Sequence, residues 1–197
     1  MDILFVTDYV CPYCLVLKEA LDQAIAETGI TPNITIHPFE LTPEPTPRVD
    51  TWSDERRRAG YKVLEEPCKT LGLPMKLPPH IVPRPRTRLA FEGWYYACDH
   101  GKGDAWSDRM YRAYFIDELD IGNPDVLTAQ AALLGMDAAD FRQALDTGRY
   151  TAQEQSACTH AREELGIKGV PTIYVDGEML DIRTYTKAYM IDLLQGR

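Results

Sequence analysis

The chain has 197 residues, of which 45% are hydrophobic and 26% charged, and a formal net charge of −9. That length allows one good core with a subdomain. The acidic balance excludes nucleic acid and an anionic membrane surface as main partners, and no apolar stretch approaches the roughly 20 residues of a membrane-spanning helix.

Residues 2–7 read as a buried strand, built on Ile3-Leu4-Phe5-Val6. Met1 leads straight into it without the basic, apolar and small-residue regions of a secretory leader, so a cytoplasmic protein is expected. In a reducing compartment the five cysteines are expected as thiols, and a close pair among them as catalytic or metal-bound rather than a structural staple. Residues 12–28 read as an amphipathic helix with Leu15, Leu17, Leu21, Ala24 and Ile25 among its apolar positions, and Gly29 as its stop. Residues 33–41 alternate apolar and polar around Ile34 and Ile36, giving a second strand.

The first β-to-α turn carries Cys11-Pro12-Tyr13-Cys14. Pro12 suits the first helical position, where its missing N–H costs nothing. Cys11 then sits at the helix N-terminus, whose free amides and dipole favour a thiolate, the nucleophilic form. Cys14 lies about one turn further in, within reach of Cys11, and can resolve a mixed disulfide. The spacing is also half of a zinc site, but no second close pair follows. Cys158 and His160 are one residue apart, so no metal is expected.

Thr42-Pro43-Glu44-Pro45-Thr46-Pro47 is an extended connector. Helical periodicity then predicts helices over 53–71, 87–101, 105–118, 124–134, 138–147 and 150–165, with a proline-rich break at 74–85. Asn123-Pro124 fits a helix start, and Met136 or Asp137 a cap. Strand character returns at Thr172-Ile173-Tyr174-Val175. Asp176-Gly177 marks a hairpin turn, Glu178 to Asp181 a return strand, and Tyr185 to Leu194 a last helix. The class is therefore α/β: a thioredoxin-like fold, β-α-β and β-β-α, interrupted by a large all-helical insertion. Residues 1–45 and 166–197 would form the thioredoxin-like domain and 46–165 the insertion.

Asp8-Tyr9-Val10-Cys11-Pro12-Tyr13-Cys14 resembles the Asp-x-x-Cys-Pro-x-Cys start of DsbA-family thiol–disulfide oxidoreductases, particularly the cytosolic FrnE-like branch. His37-Pro38-Phe39-Glu40-Leu41 is similar to that branch's second strand, and Met110 to Phe115 with Asp120-Ile121 and Val126-Leu127 to its helical domain. Gly166-Ile167 with Gly169-Val170-Pro171-Thr172 resembles the family's cis-proline loop. The resemblance implies exchange of disulfides with a protein or small-molecule thiol. A cis Pro171 would face the cysteines and leave the Val170 backbone free to pair with a substrate segment. Cys-Pro-Tyr-Cys is also the glutaredoxin-type sequence, which adds glutathione as a co-substrate. No separate cofactor is implied, and nothing bears on oligomeric state.

Pro12 and Tyr13 are expected to tune the pair. Glu40 and Asp8 are candidate proton acceptors for the resolving thiol, against a solvated strand end for Glu40 and a turn or cap for Asp8. Cys68, Cys98 and Cys158 read as small buried hydrophobes, and Arg84, Arg86 and Arg88 as a solvated basic face. Two other function classes stay open. One is a glutathione-dependent isomerase or transferase of the same split fold, the 2-hydroxychromene-2-carboxylate isomerase or kappa class, which has a single Ser or Cys at the first position. The other is a non-catalytic metal or partner binder.

Overall fold

The computed structural model describes all residues, 1–197. β1 (Asp2–Thr7), α1 (Pro12–Thr28) and β2 (Asn33–Pro38) open the chain, with β1 and β2 parallel and in register from Asp2–Asn33 to Thr7–Pro38. Seven helices follow: α2 (Glu55–Lys62), α3 (Glu65–Leu71), α4 (Arg88–Asp99), α5 (Gly103–Phe115), α6 (Pro124–Leu133), α7 (Ala138–Asp146) and α8 (Thr151–Thr159). α8 runs on into a π-helical turn, His160–Glu164. β3 (Thr172–Val175), β4 (Glu178–Met179) and α9 (Lys187–Leu194) close the chain. The sheet order is β2-β1-β3-β4, with β3 antiparallel to both of its neighbours. No helix is long and apolar enough to cross a membrane.

α1 starts and stops as its sequence dictates. Pro12 occupies its first turn, and Gly29, at φ 70°, takes the left-handed conformation that ends it and donates its N–H to Ile25 O. Leu15, Leu17 and Leu21 are buried, each worth about 1.5–3 kcal/mol against exposure. The expected single helix over 53–71 is instead two. Pro67 would clash with the preceding turn of a continuous helix, and it falls in the first turn of α3, where it is tolerated. Asp137 rather than Met136 caps α7, accepting from Ala139 N and Asp140 N. β4 is shorter than expected, only two residues.

One core of 39 buried residues runs from the sheet and α1 through the helical segment without a break, joining Ile3 and Phe5 to Phe91, Trp106, Tyr111 and Phe141. A second small cluster, Val6, Phe39, Ala161 and Ile167, includes β1, the end of β2 and the π-helical turn. Thus β1 is clothed on both faces, as its near-continuous apolar run requires.

Candidate active site

β1 ends at Thr7, and the turn that follows is built by Asp8. Its buried carboxylate accepts from Leu41 N at 2.7 Å and Val10 N at 3.4 Å, and its carbonyl accepts from Cys11 N at 3.0 Å. The end of β2 is thereby tied to the residues that present Cys11. Burial is the largest influence on the Asp8 carboxyl and raises it above the ordinary value.

Cys11 is the N-cap of α1, in extended conformation at φ −91° and ψ 114°. It is 4% exposed and Cys14 is fully buried, both as free thiols. Burial, reinforced by the neighbouring Cys11, pushes the Cys14 thiol well up. The hydroxyl of Thr7 stands beside Cys14 and opposes that shift; Thr7 Oγ1 is in turn hydrogen-bonded to Tyr111 Oη. β3 pairs antiparallel to β1 with Val6 opposite Thr172, so the loop entering β3 arrives where β1 delivers the cysteines. The Val170–Pro171 bond there is cis, and Cys11 Sγ approaches Val170 O at 3.4 Å.

Tyr13 is half-buried and partnered. Its hydroxyl donates to Gly60 O at 2.9 Å, and its ring lies 5.4 Å from that of Tyr185. The site is thus bordered by α2 and by the segment after β4.

The two carboxylates offered as proton acceptors have other partners. Asp8 holds backbone amides, which is the turn-building alternative. Glu40 is buried rather than a solvated strand end: Glu40 Oε2 accepts from Arg88 N at 3.1 Å, and its carboxylate lies against Glu154 and Cys158. Burial, with Glu154 and Asp8 nearby, pushes Glu40 up to about 7. β2 ends at Pro38, so Glu40 belongs to the turn that follows the strand.

Two further expectations are corrected. Arg84, Arg86 and Arg88 are not a solvated face. Arg84 is buried and donates to Thr42 Oγ1 at 2.7 Å, Arg86 donates to Thr42 O and Thr46 O at 2.8 Å each, and Arg88 pairs with buried Glu92 at 2.7 Å. The extended connector after β2 has carbonyls with no strand partner, and the Arg86 guanidinium meets two of them. Cys98 is exposed, unlike Cys68 and Cys158.

The sequence reading missed Thr7 and Tyr185. Thr7 carried a signal, a polar residue closing an apolar strand four positions before Cys11. Tyr185 carried none, since its meeting with Tyr13 depends on how the tail after β4 folds back.

A family model described as a DSBA-like thioredoxin domain matches residues 2–189. The chain belongs to that family. This DsbA-like chain is 36% identical over 170 residues to the uncharacterized protein YwbO of Bacillus subtilis (strain 168), covering 86% of this chain and 84% of YwbO. Its fold is similar to a 2-hydroxychromene-2-carboxylate isomerase, at TM-score 0.75 and 19% identity over 100% of this chain and 95% of that one. It is also similar to the cytosolic disulfide reductase DsbM from Pseudomonas aeruginosa, in a structure with glutathione, at TM-score 0.74 and 19% identity over 100% of this chain and 98% of that one. The FrnE-like resemblance fits this placement. Members of the family are disulfide oxidoreductases and isomerases, and this chain is an enzyme of that kind.

Proposed function

We propose that this DsbA-like enzyme exchanges thiols and disulfides through Cys11 and Cys14, with Cys11 attacking and Cys14 resolving. The carrying observation is the pair's asymmetry: Cys11 caps the N-terminus of α1 at the less buried position, while Cys14 is fully buried one turn in, with its thiol pushed well up. In the reducing direction the Cys11 thiolate attacks one sulfur of a partner disulfide. The partner's S–S bond breaks, its other sulfur leaves as a thiolate, and a mixed disulfide forms on Cys11. Cys14 then loses its proton and attacks Cys11 Sγ, releasing the second partner thiolate and leaving the Cys11–Cys14 disulfide. The partner gains two electrons and the pair loses two; the oxidising direction is the reverse. Pro12 and Tyr13 set the stability of the pair, and the Val170–Pro171 backbone docks the partner segment beside Cys11.

Glutathione is the proposed small thiol that returns the pair to its reduced form, supported by the Cys-Pro-Tyr-Cys sequence and by the shared fold of a reductase whose structure is with glutathione. A cytoplasmic setting follows from the same reading, with a protein or small-molecule disulfide as substrate. The test is reduction of a disulfide-bonded peptide coupled to glutathione and glutathione reductase. Cys11→Ser abolishes turnover and Cys14→Ser lowers it severely. Full turnover in Cys14→Ser would instead favour the single-nucleophile isomerase or transferase class.

A further inference from the structure

A cavity of about 970 Å³ is lined in part by Glu40, Arg88, Glu154, Cys158 and Arg162, and by neither cysteine of the pair. Glu154 and Cys158 are four residues apart on α8 and so share one face. Glu40 comes to meet them from the turn after β2. One donor atom from each of the three lies within 4.8 Å of the other two, and Glu154 is 0% exposed, Glu40 5% and Cys158 8%.

A second observation points to a missing partner. Cys158 Sγ donates to Glu154 Oε1 at 3.0 Å, but the buried Glu154 Oε2 meets no donor. The neighbouring Glu92, also 0% exposed, leaves its Oε2 unmet as well. A buried carboxylate oxygen without a partner is expensive. Two guanidinium groups stand close, but Arg88 donates to Glu92 Oε1 and Arg162 to the backbone carbonyl of Glu40. Neither reaches Glu154 Oε2.

We propose that Glu40, Glu154 and Cys158 bind one Zn²⁺ ion, with a fourth position open to the cavity. A thiolate with carboxylates suits a borderline-soft cation rather than magnesium or calcium, which take oxygen alone. Three protein ligands and an open position are a usual zinc arrangement. Binding displaces the Cys158 proton to solvent as the S–Zn bond forms. Spacing at Cys158 and His160 gives no hint of such a site, because its third ligand comes from more than a hundred residues earlier in the chain.

The test uses the reduced full chain carrying Cys11→Ser and Cys14→Ser, so that the pair cannot bind metal. Competition of Zn²⁺ against a chromophoric chelator is expected to show one bound equivalent. Co²⁺ is expected to give a thiolate-to-cobalt absorption band that Cys158→Ser abolishes. Glu154→Gln, nearly isosteric, weakens Zn²⁺ by about tenfold or more, at least what loss of a supporting group does at metal sites. If circular dichroism shows that variant unfolded, Glu40→Gln takes its place. No bound equivalent, or one held equally tightly after Cys158→Ser, overturns the proposal.

Discussion

Cys11 Sγ lies 3.4 Å from the backbone carbonyl oxygen of Val170, 159 residues further along the chain. The contact follows from strand order. β1 delivers Cys11 at its C-terminal end, and antiparallel β3 begins at the same edge. Any partner segment that pairs with the Val170 backbone is therefore held against the sulfur proposed to attack it, and proximity of this kind is a large part of what an exchange site must supply.

Asp8 makes the turn that presents Cys11, and its replacement tests that role. Asp8→Ala leaves the Leu41 amide without its 2.7 Å partner, a loss of about 1–3 kcal/mol. The pH dependence has a definite sign. Burial raises the Asp8 carboxyl above its ordinary 3.8, so the folded state holds this proton more tightly than the unfolded chain does. That contribution is full below about 3.8 and is lost as pH rises through the folded value. Urea melts across the acid range are expected to show Asp8→Asn gaining on the wild type as pH rises; a difference flat in pH contradicts the assignment.

Gly93 of α4 packs directly against Trp106 of α5. A Cβ there would lie 2.5 Å from Trp106 Cζ2 and 3.0 Å from Phe141 Cζ. Trp106 is fully buried and anchored by its Nε1 donating to Ala90 O at 2.9 Å. Helix propensity alone would favour alanine by up to about 1 kcal/mol. Overpacking costs about 1–3 kcal/mol, so Gly93→Ala is expected to lower the urea midpoint while activity per folded molecule stays unchanged.

Tyr13 and Tyr185 separate stability from partner binding. Tyr13→Phe removes the hydrogen bond to Gly60 O and is expected to cost about 0.5–1.5 kcal/mol, with the ring contact kept. Tyr185→Ala removes the neighbouring ring. It is expected to raise KM for a peptide disulfide while the Cys11–Cys14 disulfide still forms, which steady-state kinetics and a thiol count together resolve.

Much of this was written locally. The limits of β1 and α1, the Asn123 and Asp137 caps, and the β3 hairpin all rest on residues within a few positions of one another, and periodicity with turn chemistry finds them. What escaped was set by distance in the chain. Arg84 looks like surface charge until Thr42 is placed beside it. Glu40 looks like a strand-end acid until α8 brings Glu154 and Cys158 against it. Cys98, in an aromatic run, looked buried because which side of α4 faces Trp106 depends on α5.

The most direct test of the attack-and-resolve account is intact-mass spectrometry of acid-trapped protein equilibrated across glutathione redox ratios, on wild type and Cys14→Ser. The account predicts a reversible Cys11–Cys14 disulfide in the wild type, seen as a loss of two hydrogens, and in Cys14→Ser a glutathione adduct that peptide mapping places on Cys11. Wild-type protein that stays fully reduced at oxidising ratios, or an adduct that maps elsewhere, would contradict it.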